Sequence, residues 1–144
     1  PLATTPVLQF DFAARLNDDQ RRSTVFVAEL EHDGHRITQR IATFVPNKHV
    51  DFDNPYLTTS LRSLDASRVA ITVAAQTLAR YVELGCEGAA FEGVEGDVVF
   101  SDNYFDVRAG HPVTVTCTLP DGWTLEQASA ALQVQSLYNA FTVA

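Results

Sequence analysis

"VVFSDNYFDVRAGHPVTVTC", residues 98–117, decides how the rest of the chain is read. Two apolar runs that alternate like strands flank Asp102, Asn103, Tyr104, Phe105 and Asp106. Carboxylates, an amide and aromatics are the residue types of a carbohydrate or hydrolytic site, and Asp and Asn are equally the residue types of a turn. If the flanking runs are strands, the remaining sequence must supply their partners.

It does, because period-two alternation dominates in both directions. "PVTVTCTL" puts Val113, Val115, Cys117 and Leu119 on one face. "YLTTSLRSL", "RVAITVAA", "LARYVELG", "DVVFSDNYFDV" and "LQVQSLYNAF" are short strand-like runs separated mostly by Gly, Asp or Pro. Such spacing predicts an all-β fold, an immunoglobulin-like β-sandwich of antiparallel strands. One short helix interrupts it near residues 124–131, where Thr124 and Gln127 have capping-box spacing. Upstream, "LQFDFAARL" places Leu8, Phe10, Phe12, Ala14 and Leu16 on one face, and "TVFVAELEHDGHRITQRIATF" reads as a hairpin turning at Asp33-Gly34. Residues 1–45 are thus expected as three strands, residues 46–55, with two prolines and several turn formers, as a linker, and residues 56–144 as the sandwich.

Composition narrows the function. The 144 residues are 46% hydrophobic and 19% charged, with nine Phe, which suits a folded domain of ordinary size. A net charge of -8, with nine scattered Arg and one Lys, repels a phosphate backbone and argues against nucleic acid. No apolar run approaches the ~20 residues that span a bilayer, so no membrane partner is expected. The absence of Met predicts a piece of a longer chain, and the Arg- and Ala-rich composition suggests a bacterial, cytoplasmic source. Cys86 and Cys117 are open to pairing if their Cα atoms approach within roughly 7 Å, but the alternation around Cys117 fits a small buried hydrophobe.

Catalytic readings find little support. Glycoside hydrolysis needs carboxylates roughly 5 to 9.5 Å apart, whereas Asp102 and Asp106 on a continuous strand would stand about 13 Å apart. Ser101 lacks a nucleophile elbow, and neither cysteine has an adjacent His. His32 and His35 flank a hairpin turn, His49 and His111 lie far off, and no metal or cofactor is expected. The segment holding Gly88, Gly93 and Gly96 carries two Glu residues that oppose a phosphate and reads as a loop. Sugar binding without hydrolysis survives: Trp123 after the Pro120-Asp121-Gly122 turn is a candidate stacking platform, with Tyr104, Asn103 and Asp102 as candidate contacts.

Taken in order, "FVPNKHVDF", "LARYVELGCEG", "FSDNYFDVRAGHPVTVT" and "LQVQSLYNAF" resemble the C-terminal immunoglobulin-like region of β-mannosidases in glycoside hydrolase family 2. Pro46, Lys48 and His49 match one motif of that family and Ser101 to Asp106 another, while Ala109 stands where its turn usually has proline. The resemblance implies a parent enzyme that removes terminal β-linked mannose with retention. Its catalytic glutamates would lie on a separate barrel, one within an Asn-Glu pair that this chain lacks. The region is therefore expected to be accessory, with the barrel and the preceding sandwich domain as partners and Lys48 and His49 as candidate interdomain residues. A carbohydrate-binding module of a related β-galactosidase or glucosaminidase is the alternative. Residues 1–45 would close the preceding sandwich, and their apolar faces would fold onto the main sandwich or self-associate.

Overall fold

The structure, a computed structural model, describes residues 5–87 and 97–142, so the expected loop at Gly88, Gly93 and Gly96 lies outside the described residues. The chain divides into two compact units, Pro1–Asp51 and Phe52–Ala144.

In the first unit, β1 (Val25–His32) and β2 (His35–Thr43) form the expected antiparallel hairpin. Asp33 and Gly34 both take positive φ, 50° and 74°, as a type I′ turn requires. The third expected strand does not form. A strand needs a ladder partner as well as alternation, and residues 8–16 turn away instead: Asp11 Oδ1 accepts the Ala13 N–H at 2.8 Å, and the Arg15 N–H donates to Phe12 O at 2.9 Å. A short helix, α1 (Asp18–Ser23), follows, started by a reciprocal capping box between Asn17 and Gln20. The alternation nonetheless does what burial asks of it. Phe10 and Phe12 both meet Phe26, with ring centroids 5.5 and 5.6 Å away, and Phe12 meets Phe44 edge-on at 5.2 Å. No described residue of this unit is fully buried, and Phe10 keeps half its surface exposed.

The second unit is the expected sandwich. One sheet has the order β3 (Thr58–Ser63), β4 (Arg68–Ala74), β8 (Val113–Thr118), β6 (Val99–Phe100). The other has the order β7 (Phe105–Val107), β5 (Ala79–Cys86), β9 (Leu132–Gln135). Every pairing is antiparallel. Period two sends Val69, Ile71 and Val73 of β4 and Val115 and Cys117 of β8 inward against Val82 and Leu84 of β5 and Val107 of β7. The helix α2 (Leu125–Ala131) begins at the expected Thr124–Gln127 capping box and turns Ala128 and Ala131 to the core.

One detail departs from expectation. "LQVQSLYNAF" stops being a strand at Ser136, where Ser136 N–H and Oγ–H both donate to Asn139 Oδ1 and start a helix, α3 (Leu137–Thr142). "DVVFSDNYFDV" is two short strands on different sheets, with the chain bent between them by side-chain to backbone hydrogen bonds at Asp102 and Asn103, as their turn-forming residue types lead one to expect.

Cys86 and Cys117 are free thiols. Burial raises both, and with the charge of Cys86 added it pushes Cys117 up to about 11. Only about one Cys117 in a thousand would then be thiolate at pH 8, the form that alkylates. Iodoacetamide at pH 8 should therefore spare Cys117 in the folded chain and label it after denaturation. Fast native labelling of the Cys117 peptide by mass spectrometry would contradict this packing.

Candidate functional site

The link between the two sheets, Ser101 to Asp106, is built from side chains that act as backbone. Ser101 extends the β6–β8 ladder by one step: its N–H donates to Thr116 O at 2.8 Å, and its Oγ accepts the Thr116 N–H at 3.0 Å. Asn103 does the same for β5. Leu84 N–H donates to Asn103 Oδ1 at 2.8 Å, and Asn103 Nδ2–H donates to Leu84 O at 2.9 Å. A carboxamide has the donor and acceptor of a peptide group, so it completes the ladder where β7 has already ended. The turn is closed locally by Asp102 Oδ1, which accepts the Asn103 N–H, and by Asn103 Oδ1, which accepts the Tyr104 N–H.

Asp106 stitches a second irregularity. Pairing of β5 with β7 jumps from Ala79–Val107 to Val82–Phe105, one residue too many on β5, which is a bulge at Arg80 and Tyr81. Tyr81 sits there at φ 50°, a conformation that costs a non-glycine residue on the order of 1 kcal/mol or more. Asp106 Oδ1 accepts the Tyr81 N–H and the Arg80 Nε–H, both at 3.0 Å. Arg80 is buried, with its guanidinium carbon 4.8 Å from the centroid of the Tyr81 ring.

Beside this network the β7–β5–β9 sheet carries a shallow depression of about 320 Å³, lined by Tyr81, Glu83, Tyr104, Gln135, Ser136, Leu137, Asn139 and Ala140. Tyr81 and Tyr104 are exposed at 42% and 60%, and the Arg80 guanidinium lies over the Tyr81 ring. Tyr104 is also left-handed, at φ 60°. Its hydroxyl donates to Glu83 Oε1 at 2.9 Å, and Gln135 Nε2–H donates to Glu83 Oε2 at 2.9 Å. The hydrogen bond and the charge of Glu83 raise the Tyr104 phenol above its ordinary range.

The residues singled out in the sequence do not converge. Trp123 is a correction: Gly122 at φ 79° turns the chain back after Pro120, and Trp123 lies in the core at 8% exposure, with no open face for a sugar. Both polar atoms of the Asn103 side chain bond Leu84, and Asp102 Oδ1 caps the turn through the Asn103 N–H. Of the four, Tyr104 alone lines the depression. Asp102 and Asp106 are held by different partners, and Asp106 is ion-paired with Arg80. Lys48 and His49 are exposed on a 3-10 turn, Asn47–His49, in the first unit. His32 contacts Asp33 at 3.3 Å beside His35 on the hairpin, and no group of three metal-binding side chains occurs among the described residues. Sequence reasoning missed Tyr81, Glu83 and Gln135. Their signal was a Tyr-x-Glu pair on one face of β5, legible only once β9 is known to be its neighbour.

Residues 52–140 match the family model of the mannosidase Ig-fold domain, and residues 1–49 match that of the mannosidase Ig/CBM-like domain. No curated protein matches the chain. Among solved structures it is similar to the β-D-mannosidase from Dictyoglomus thermophilum, with a TM-score of 0.70 and 16% identity. The match covers 85% of this chain and 14% of that one, a likeness in fold.

Proposed function

The chain belongs to the family of mannosidase Ig-fold domains, and from that premise we propose that it is the non-catalytic, C-terminal accessory region of a retaining β-mannosidase acting on terminal β-linked mannose. One observation carries the non-catalytic reading. Every polar side chain of the Ser101–Asp106 run makes a bond within the sandwich, and its two carboxylates serve structural partners, Asp102 the Asn103 N–H and Asp106 the Arg80 guanidinium and the Tyr81 N–H. The motif is a structural part that sets the geometry between two sheets.

Residues 1–45 fit the same proposal as part of the Ig/CBM-like domain matched over residues 1–49. Phe10 is exposed and Phe12, Phe26 and Phe44 are only half-buried, as expected of a hairpin whose covering partners belong to that domain. The barrel and that sandwich are the proposed partners, and Lys48 and His49, exposed at the end of the first matched region, the proposed interdomain contacts.

The purified chain, incubated with a chromogenic β-mannoside, should release product no faster than buffer does. Turnover that rises with chain concentration and falls in an Asp102 variant that keeps the wild-type melting temperature would overturn the accessory reading.

A further inference from the structure

We propose that the depression between Tyr81 and Tyr104 is a carbohydrate subsite that takes one neutral pyranose unit. An accessory domain that only buttresses its neighbours needs no such site, so the inference goes beyond the accessory role. Two tyrosines in left-handed backbone, one on the β5 bulge and one in the 101–104 turn, line a single depression. Strained residues that the surrounding structure over-determines cluster where a side chain must be aimed. Here both are aimed by hydrogen bonds, Tyr104 to Glu83 and Tyr81 from the Arg80 guanidinium at 3.4 Å.

The chemistry selects the ligand class. The exposed Tyr104 ring offers a flat apolar face to the C–H surface of a sugar ring. Glu83 is oriented from both sides by Tyr104 and Gln135, yet each carboxylate oxygen has a second lone pair with which to accept a sugar hydroxyl. Gln135 and Asn139 add amides at the rim. The volume, about 320 Å³, lies at the lower end for ligand sites, which suits one ring rather than an extended chain. Glu83 and the net charge of -8 disfavour phosphates and uronates. A cationic ligand is disfavoured too, because the Arg80 guanidinium already lies against the Tyr81 ring.

The test is a titration of the isotopically labelled chain, followed by amide and side-chain NMR shifts, with methyl β-mannoside, β-1,4-mannobiose and, as a cationic control, choline. Saturable shifts confined to Tyr81, Glu83, Tyr104 and Gln135 are expected with the glycosides, with a dissociation constant on the order of 1 mM. Tyr104→Asn keeps a residue that tolerates the left-handed backbone and removes the ring. Glu83→Gln removes the charge. Each should weaken binding at least about tenfold, equivalent to about 1.4 kcal/mol, while the spectrum away from the depression stays unchanged. Non-saturating shifts at tens of millimolar glycoside, shifts centred elsewhere, or a response to choline in place of the sugars would each overturn the subsite. The titration reads this site and the hydrolysis assay reads the accessory role, so the two fail separately.

Discussion

Asp106→Ala is expected to destabilise the sandwich by about 3 to 5 kcal/mol, a large share of the ~5–15 kcal/mol that holds a domain together. The reason is what stays behind. Arg80 has only 7% of its surface exposed and would keep a buried guanidinium without its counter-ion, while the Tyr81 N–H at the bulge would lose its acceptor. Asp106 retains 17% side-chain exposure, so some water reaches the pair and the lower half of that range is the better expectation. Urea unfolding should show a lower midpoint at unchanged slope. Removing both charges, as Arg80→Met with Asp106→Leu, should recover part of the loss, because an apolar pair leaves no buried charge. A single-variant loss below about 1 kcal/mol would mean that the pair contributes no more than an exposed one.

Asn103→Ala is expected to cost about 2 to 4 kcal/mol by a different route. Leu84 pairs with Val134 of β9 on one side, while its N–H and C=O both point to the other side, toward Asn103. Leu84 is 2% exposed, so removing the carboxamide strands a donor and an acceptor away from water, each at about 1 to 3 kcal/mol. Asn103→Asp is the sharper test. It keeps the acceptor for the Leu84 N–H but places a carboxylate against the Leu84 carbonyl, and should do at least as much damage at neutral pH. Asn103→Gln, one methylene longer, should not restore the pair. Hydrogen exchange at the Leu84 amide reports directly: protection should fall in all three variants, and protection equal to wild type in Asn103→Ala would exclude the ladder role.

What could be read beforehand follows a physical line. Local devices were legible because their partners are adjacent. The Asp33-Gly34 turn and the Thr124–Gln127 capping box form where the sequence places them. The inward faces of β4, β5 and β8 were legible because the period of two is a backbone property. Features that depend on distant partners were not. Asn103 looks like a sugar contact until Leu84, nineteen residues away, arrives opposite it. Trp123 looks like a platform until the turn at Gly122 folds it inward. The segment 8–16 alternates correctly and packs its phenylalanines together, yet forms no strand, because alternation specifies a face and not a hydrogen-bonding partner. The α3 helix was missed for a subtler reason. Ser136 and Asn139 have the spacing of a helix start, but they follow a strand without a break.

The Asn103 carboxamide also governs how this domain ages. Asparagine side chains are among the thermolabile groups of proteins: the next residue's backbone nitrogen attacks the side-chain carbonyl carbon, ammonia leaves, and water opens the resulting cyclic imide to aspartate or isoaspartate. Here the Tyr104 nitrogen donates to the side-chain oxygen, and both ends of the amide are clamped by Leu84, so the rotation that attack requires is blocked. Decay must wait for this corner of the sheet to open. Once it happens, neither product carries the Nδ2–H that donates to Leu84 O, so the molecules that open first lose the bond that held the corner shut.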